Sequence, residues 1–182
     1  MRFYNLSEMS LMNDELSALM RTRFDNFHDL IYKGIATEGH PAGVQLFLFV
    51  WVKVFGDSAF ALRFPFAVAG TLCIPLIYFV GTRWFNKTTG LFAALSFALL
   101  QFTILYSQLA RMYAAGMFAV LLFCFCLTLL FLSSEKINRN LWRVVYVLSA
   151  AGCLYTHYFA ALVMIIIMVC ALPVLIYRQK SI

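Results

Sequence analysis

The sequence predicts an all-α protein, a polytopic bundle of transmembrane helices preceded by an amphipathic juxtamembrane segment. Three observations lead there. Hydrophobic residues make up 63% of the chain and charged residues only 12%, where a soluble domain carries about 25% charge. Five apolar runs, roughly 64–82, 89–107, 114–132, 142–157 and 159–177, each approach the ~17–25 residues that a spanning helix needs, the fourth being the weakest. Finally, Lys and Arg fall in short clusters between these runs, which is how topology is signalled in a membrane protein. The formal net charge of +6 therefore does not point to nucleic acid, and we exclude that class.

The elements follow in order. Nearly all the acidity sits early: of eight Asp and Glu residues, Glu8, Asp14, Glu15, Asp25, Asp29, Glu38 and Asp57 precede residue 58 and only Glu135 follows. Carboxylates held against a bilayer are costly to desolvate and invite a functional explanation, although a solvated loop also carries charge. The first 40 residues lack the apolar core of a signal peptide. Residues 14–35 place Leu16, Leu19, Met20, Phe24, Phe27, Leu30, Ile31 and Ile35 on one face and Arg21, Arg23, Asp25, Asp29 and Lys33 on the other, predicting one amphipathic helix on the membrane surface. Asn13 would be its N-cap, and Asp14 and Glu15 would then suit the helix dipole without any catalytic role.

The apolar segment from Pro41 to Phe55, closed by Gly56-Asp57, reaches only ~22 Å as a helix, short of the ~30 Å hydrocarbon core. It is expected to lie flat or to dip in and return. Arg83 and Lys87, then Lys136, Arg139 and Arg143, then Arg178 and Lys180 mark every second connection as cytoplasmic. The connections around Tyr106–Tyr113 and Tyr155–Phe159 then face outward, on the side of the acidic segment. The five cysteines (Cys73, Cys124, Cys126, Cys153, Cys170) lie within apolar runs and read as buried free thiols rather than disulfides or a metal site. Two regions result: residues 1–63, an extracytoplasmic first loop with juxtamembrane helices, and residues 64–182, a bundle of about five spans. An outward start without a preceding anchor suggests a fragment lacking an upstream helix and the part after Ile182.

Taken singly, the polar groups on the outer face have plain explanations: Arg111 as a snorkelling anchor, the tyrosines as belt residues, His157 as a helix-end residue. Taken together they carry a resemblance. Asp14-Glu15, Glu38-Gly39-His40-Pro41, Phe55-Gly56-Asp57-Ser58 leading to Leu62-Arg63-Phe64-Pro65, and Tyr106-Ser107-Gln108-Leu109-Ala110-Arg111-Met112-Tyr113 resemble the N-terminal half of bacterial polyprenyl-phosphate-dependent glycosyltransferases. These are glycosyltransferase-C enzymes related to the protein O-mannosyltransferases and the lipid A aminoarabinose transferase.

The resemblance implies a plasma-membrane enzyme whose active site faces away from the cytoplasm. Its partners would be a polyprenyl-phosphate sugar donor, the bilayer, and an envelope glycan, lipid or protein acceptor. It implies Asp14, Glu15 and Glu38 as catalytic carboxylates, Asp14 foremost, and His40, Arg63, Arg111, Tyr113 and His157 as substrate-binding residues. Glu38 stands where the family commonly has Asp, and Ala42 replaces a second Pro. No cofactor is implied, since the lipid-phosphate sugar is a substrate, and a divalent cation is left open.

Such chemistry suits these residue types. A carboxylate takes the acceptor's proton, while a planar guanidinium neutralises a departing phosphate. No His/Cys ligand cluster argues for zinc. A transporter would carry ionisable groups inside its helices, whereas here, between residues 64 and 177, they fall at the ends of runs. A non-catalytic membrane fragment is the other alternative.

Overall fold

Gly56 shows how firmly local chemistry sets some boundaries in this chain. The computed structural model describes residues 1–36, 39–133 and 137–179. Helix α3 (Gly43–Phe55) stops at Gly56, whose φ of +84° favours glycine and whose N–H closes on Val52 O at 2.9 Å. At 13 residues the helix is ~20 Å long and does not match the hydrocarbon thickness, as its sequence predicts. It is held instead against α1 (Asn13–Met20) and α4 (Ala59–Trp84). Gln45 Nε2 donates to Ala18 O at 3.0 Å, and Trp51 Nε1 donates to Ala61 O at 2.8 Å.

The amphipathic stretch is not one helix. Helix α1 (Asn13–Met20) ends where the Thr22 hydroxyl donates to Leu19 O at 2.7 Å. A new turn, α2 (Phe27–Asp29), starts where Asn26 accepts from Asp29 N at 2.8 Å, and it runs on as a π-helical turn, Leu30–Ile35. Short polar side chains here compete with the helix ladder for backbone groups, a local effect that the apolar periodicity does not register. The predicted cap also shifts by one residue. Met12 is the N-cap, Asn13 is already helical, and the Met12 N–H is held by Glu15 Oε2 at 3.0 Å.

The remaining described elements are helices as well: α4 (Ala59–Trp84), α5 (Lys87–Leu99), α6 (Gln101–Ser107), α7 (Met112–Leu127, continued by a π turn to Leu132), α8 (Arg139–Thr156) and α9 (Tyr158–Gln179). Ser58, Asn86 and Asn138 cap α4, α5 and α8 by accepting from Ala61, Thr89 and Leu141. By length and composition two helices suffice to cross a membrane, Ala59–Trp84 and Met112–Leu132. A third does so if α5 and α6, bent by 63° at Leu100, count as one. The other two of the five predicted spans do not meet these criteria. α8 opens with Arg139, Asn140 and Arg143, and the apolar part of α9 covers Tyr158–Val174.

Helix α7 is the spine. Near its N-terminus Ala114 packs with Ala18 and Leu19 of α1, Leu48 of α3 and Leu62 and Phe66 of α4. Further along, Ala119, Phe123 and Leu127 pack with Cys153 of α8 and Ala160 of α9. All five cysteines are free, four of them buried and Cys170 exposed.

Helices α4 and α5 approach through glycine. A Cβ on Gly90 would stand 2.7 Å from Tyr78 O and 2.8 Å from Thr82 N, both backbone atoms that cannot yield without moving α4. Gly90→Ala should therefore destabilise the purified protein by about 1–3 kcal/mol. Gly39→Ala, with nothing within 4 Å, should leave its thermal melting unchanged. Equal melting temperatures for the two variants would contradict the close approach.

Candidate active site

Consecutive residues on a helix point about a hundred degrees apart, and at the start of α1 this separates two carboxylates into different environments. Glu15 turns inward and is 1% exposed. Its Oε1 accepts from Arg63 Nε and from the Ala110 N–H, both at 2.9 Å, and its Oε2 accepts from Arg63 Nη2 at 2.6 Å and from Met12 N. Arg63 spends its other donors on the chain before α1. Nη1 reaches Leu6 O at 3.0 Å and Met9 O at 2.9 Å, and Nη2 reaches Ser10 O at 3.0 Å. These account for all five guanidinium N–H groups.

Two expectations change as a result. Arg63, expected to bind substrate, has no donor left for a phosphate. Glu15, expected among the catalytic carboxylates, is sealed from solvent with both oxygens engaged. Burial alone would push the Glu15 carboxyl up. The hydrogen bonds from Arg63, Ala110 and Met12, with the adjacent positive charge, outweigh it and hold the group below the usual glutamate range.

Asp14 turns the other way. It is exposed and lines a polar cavity of about 320 Å³ with Tyr106, Leu109, Arg111 and Tyr113. Arg111 is the extended N-cap of α7, and its Nη1 donates to the backbone carbonyl of Asp14 at 3.3 Å. The same Arg111 borders a water-sized crevice with His40, Pro41 and Gln45, so His40 stands on its far side.

Tyr113 meets the Tyr106 ring edge-on at 4.7 Å and the His157 ring at 5.9 Å. His157 Nδ1 accepts from Phe159 N at 3.0 Å, which leaves Nε2 to carry the proton of the neutral ring. Partial burial, then repulsion from His40, lower its pKa. Tyr106, Tyr113 and His157 also wall an apolar cavity of about 500 Å³, completed by Phe102, Met117 and Val163 among others. The polar and apolar cavities thus share the two tyrosines.

Of the expected residues, the fold assembles Asp14, Arg111 and Tyr113 around one cavity that Glu15 also borders, and sets His40 at the crevice beside Arg111 and His157 at the neighbouring apolar cavity. It diverts Glu15 and Arg63 into the interior, while Glu38 lies outside the described residues. The sequence motif containing Arg111 also holds Tyr106, which was not selected although it borders both cavities. The structural use of the Ala110 amide has no sequence signal, because it is a backbone group.

The buried pair carries a stability consequence with a definite sign. A carboxyl whose folded pKa is depressed contributes stability that is complete above the unfolded value, ~4.3, and lost as pH falls through the folded value. Replacing one partner leaves a buried charge unmatched, at a cost of about 3–5 kcal/mol. Glu15→Gln should therefore melt well below the parent protein at pH 7, and the difference should shrink steadily below pH ~4. A gap independent of pH would contradict the ionised pair.

Compared with known proteins, residues 39–181 match the family described as dolichyl-phosphate-mannose-protein mannosyltransferase. The matched stretch includes Arg63, Arg111, Tyr113 and His157 and begins after α1. No curated protein and no solved structure gives a significant match. With a helical membrane fold and a family match over most of its length, the chain belongs to the dolichyl-phosphate-mannose-protein mannosyltransferase family of membrane glycosyltransferases, of the glycosyltransferase-C type.

Proposed function

We propose that the enzyme transfers a sugar from a polyprenyl-phosphate donor to an acceptor hydroxyl on the extracytoplasmic face of the membrane. One observation carries this reading: the cavity holding Asp14 and Arg111 shares two walls, Tyr106 and Tyr113, with an apolar cavity between α6, α7 and α9. An amphiphile with an anionic head and a hydrocarbon tail fits that pairing. Its phosphate lies at Arg111 and its first isoprene units lie against Phe102, Met117 and Val163.

The step then balances within the site. The acceptor oxygen bonds to the anomeric carbon as the bond from that carbon to the phosphate oxygen breaks. The acceptor proton passes to the Asp14 carboxylate, and the electron pair leaves with the lipid phosphate. Arg111 neutralises the charge that develops there, and its position at the N-cap of α7 adds the favourable end of the helix dipole. Glu15 and Arg63 do not touch substrate. They fix α1 to the loop that carries Arg111. His157, with its proton on Nε2, and Tyr113 offer donors to sugar hydroxyls. The acceptor is an envelope glycan, lipid or protein.

A transfer assay on the full-length enzyme in detergent, with a radiolabelled polyprenyl-phosphate sugar, tests the roles. Asp14→Asn, which cannot take the proton, should slow transfer on the order of 100- to 10,000-fold without loss of folded protein. Arg111→Ala should slow it roughly 10- to 150-fold, equivalent to about 1.5–3 kcal/mol of charge-assisted hydrogen bonding, while Arg83→Ala at the far end of α4 should have little effect. Near-normal turnover by Asp14→Asn would sink the base assignment, and equal small effects of the two arginine variants would reduce Arg111 to an anchor.

The face of the site is tested separately. In whole cells, in a Cys170→Ser background, an impermeant thiol reagent should label Tyr158→Cys, which is 63% exposed at the start of α9, and spare Lys87→Cys. The reverse pattern would place the cavity on the cytoplasmic side.

A further inference from the structure

The break between α5 and α6, at Leu99-Leu100-Gln101, has no proline or glycine behind it, and the local contribution is the Thr103 hydroxyl, which turns back on the Phe97 and Leu100 carbonyls. Sharp kinks elsewhere trace to proline or glycine, to π bulges, or to a side chain inserted into the ladder. An apolar run beside lipid favours an unbroken helix, because carbonyls left without partners there are costly. Leu100 is nevertheless extended (φ −62°, ψ 121°) and the axis turns by 63°. In a continuous helix Phe97 O and Ala98 O would accept from the amides of residues 101 and 102, four positions on. The break removes those partners.

The Thr103 hydroxyl reaches Phe97 O from six residues on, and the rest of the replacement comes from far away in the chain. Arg2 is 6% exposed. Its Nη2 donates to Phe97 O at 2.9 Å and to Thr103 Oγ1 at 3.2 Å, and its Nη1 reaches Ala98 O at 3.4 Å. Its guanidinium carbon lies 5.1 Å from the centre of the Phe97 ring. One cation thus joins the final carbonyls of α5, where the helix dipole favours positive charge, to the first turn of α6. The segment bearing Arg2 is itself clamped. Gln108 Nε2 donates to Met1 O at 3.2 Å and Tyr4 O at 2.9 Å, and Arg63 holds the carbonyls of Leu6, Met9 and Ser10.

What the break positions is the site. Helix α6 carries Tyr106 and leads directly into Gln108 and Arg111, so its direction decides where these groups stand relative to Asp14. We infer that Arg2 is a positioning residue for transfer: by filling the break at Leu100 it holds α6 at the angle that sets Tyr106 and Arg111 against Asp14. The kinetic part of this inference rests on the transferase reading above.

The test uses the full-length enzyme in lipid nanodiscs and a second-site rescue. Arg2→Met removes every donor. Gln101→Pro imposes the break covalently, since proline is accommodated at the first helical position and favours an extended residue before it. Arg2→Met should lower kcat tenfold or more, with the acceptor KM within twofold of the parent. Gln101→Pro alone should stay close to the parent, and the double variant should regain at least a third of the parental kcat. Spin labels on Thr88→Cys and Leu105→Cys, with Cys170→Ser, give a readout independent of activity. Straightening a 63° bend at a 1.5 Å rise should lengthen their separation by roughly 3 Å in Arg2→Met, and the double variant should reverse this.

An unchanged label separation in Arg2→Met, or a double variant no better than Arg2→Met, would overturn the inference. If Arg2→Met fails to fold, recovery of folded protein in the double variant supports it and failure to recover refutes it. Label separations that shift as expected in an enzyme that transfers no sugar would leave the placement of α6 by Arg2 standing and remove the transferase reading instead.

Discussion

The packing of α1 against the rest of the molecule depends on the buried ion pair of Glu15 and Arg63. Moving two charges out of water is expensive, and their attraction offsets that cost only when the remaining hydrogen-bonding capacity is also met. Here it is met completely on the Arg63 side, while both Glu15 oxygens also accept backbone amides. The partners of that pair belong to four different pieces of chain: the segment before α1, α1 itself, α4 and the α6–α7 loop. A geometry with this many simultaneous demands tolerates little sliding, so the pair works as a register pin.

That pin explains how an exposed Asp14 can be placed reliably. The backbone at Met12 is held by Glu15 and the backbone at Ala110 by the same carboxylate. Asp14 and Arg111 are the immediate neighbours of pinned residues and need not contact each other through their side chains. The cavity between them keeps its polar lining at the point where two apolar hollows flank α7, the one walled by Tyr106 and Tyr113 and a larger one of about 660 Å³ among α3, α4, α7 and α8. A charged site at the rim of an apolar bundle suits a substrate that is part ion and part hydrocarbon.

The sequence distinguished roles in this site only partly, for a physical reason. Asp14 and Glu15 are chemically almost equivalent as letters, and their fates diverge because a helix turns between them and only one can face the interior. Arg63 and Arg111 both lie in outer-face motifs and both look suited to phosphate. Which one is consumed internally depends on five acceptors, three of them backbone carbonyls of Leu6, Met9 and Ser10, and backbone carbonyls are present at every position and so mark none. Asp14, Arg111 and Tyr113 were legible because motif and cavity coincide, whereas Tyr106 was seen as part of a motif but not as a wall.

By itself the sequence determined the membrane character of the chain, the helical class and the short α3 with its glycine stop. These follow from composition, run length and local backbone preference, which act within a few turns of helix. The tertiary structure alone decided the loss of Arg63 to the interior and the Arg2 contacts that fill the bend at Leu100. The second is the clearer case. The residues around Leu100 include neither proline nor glycine, and beside the local Thr103 hydroxyl the donors that occupy the break belong to Arg2, some 95 residues earlier. An interaction at that separation leaves no trace in local periodicity, because its cause is the packing that brings the two segments together.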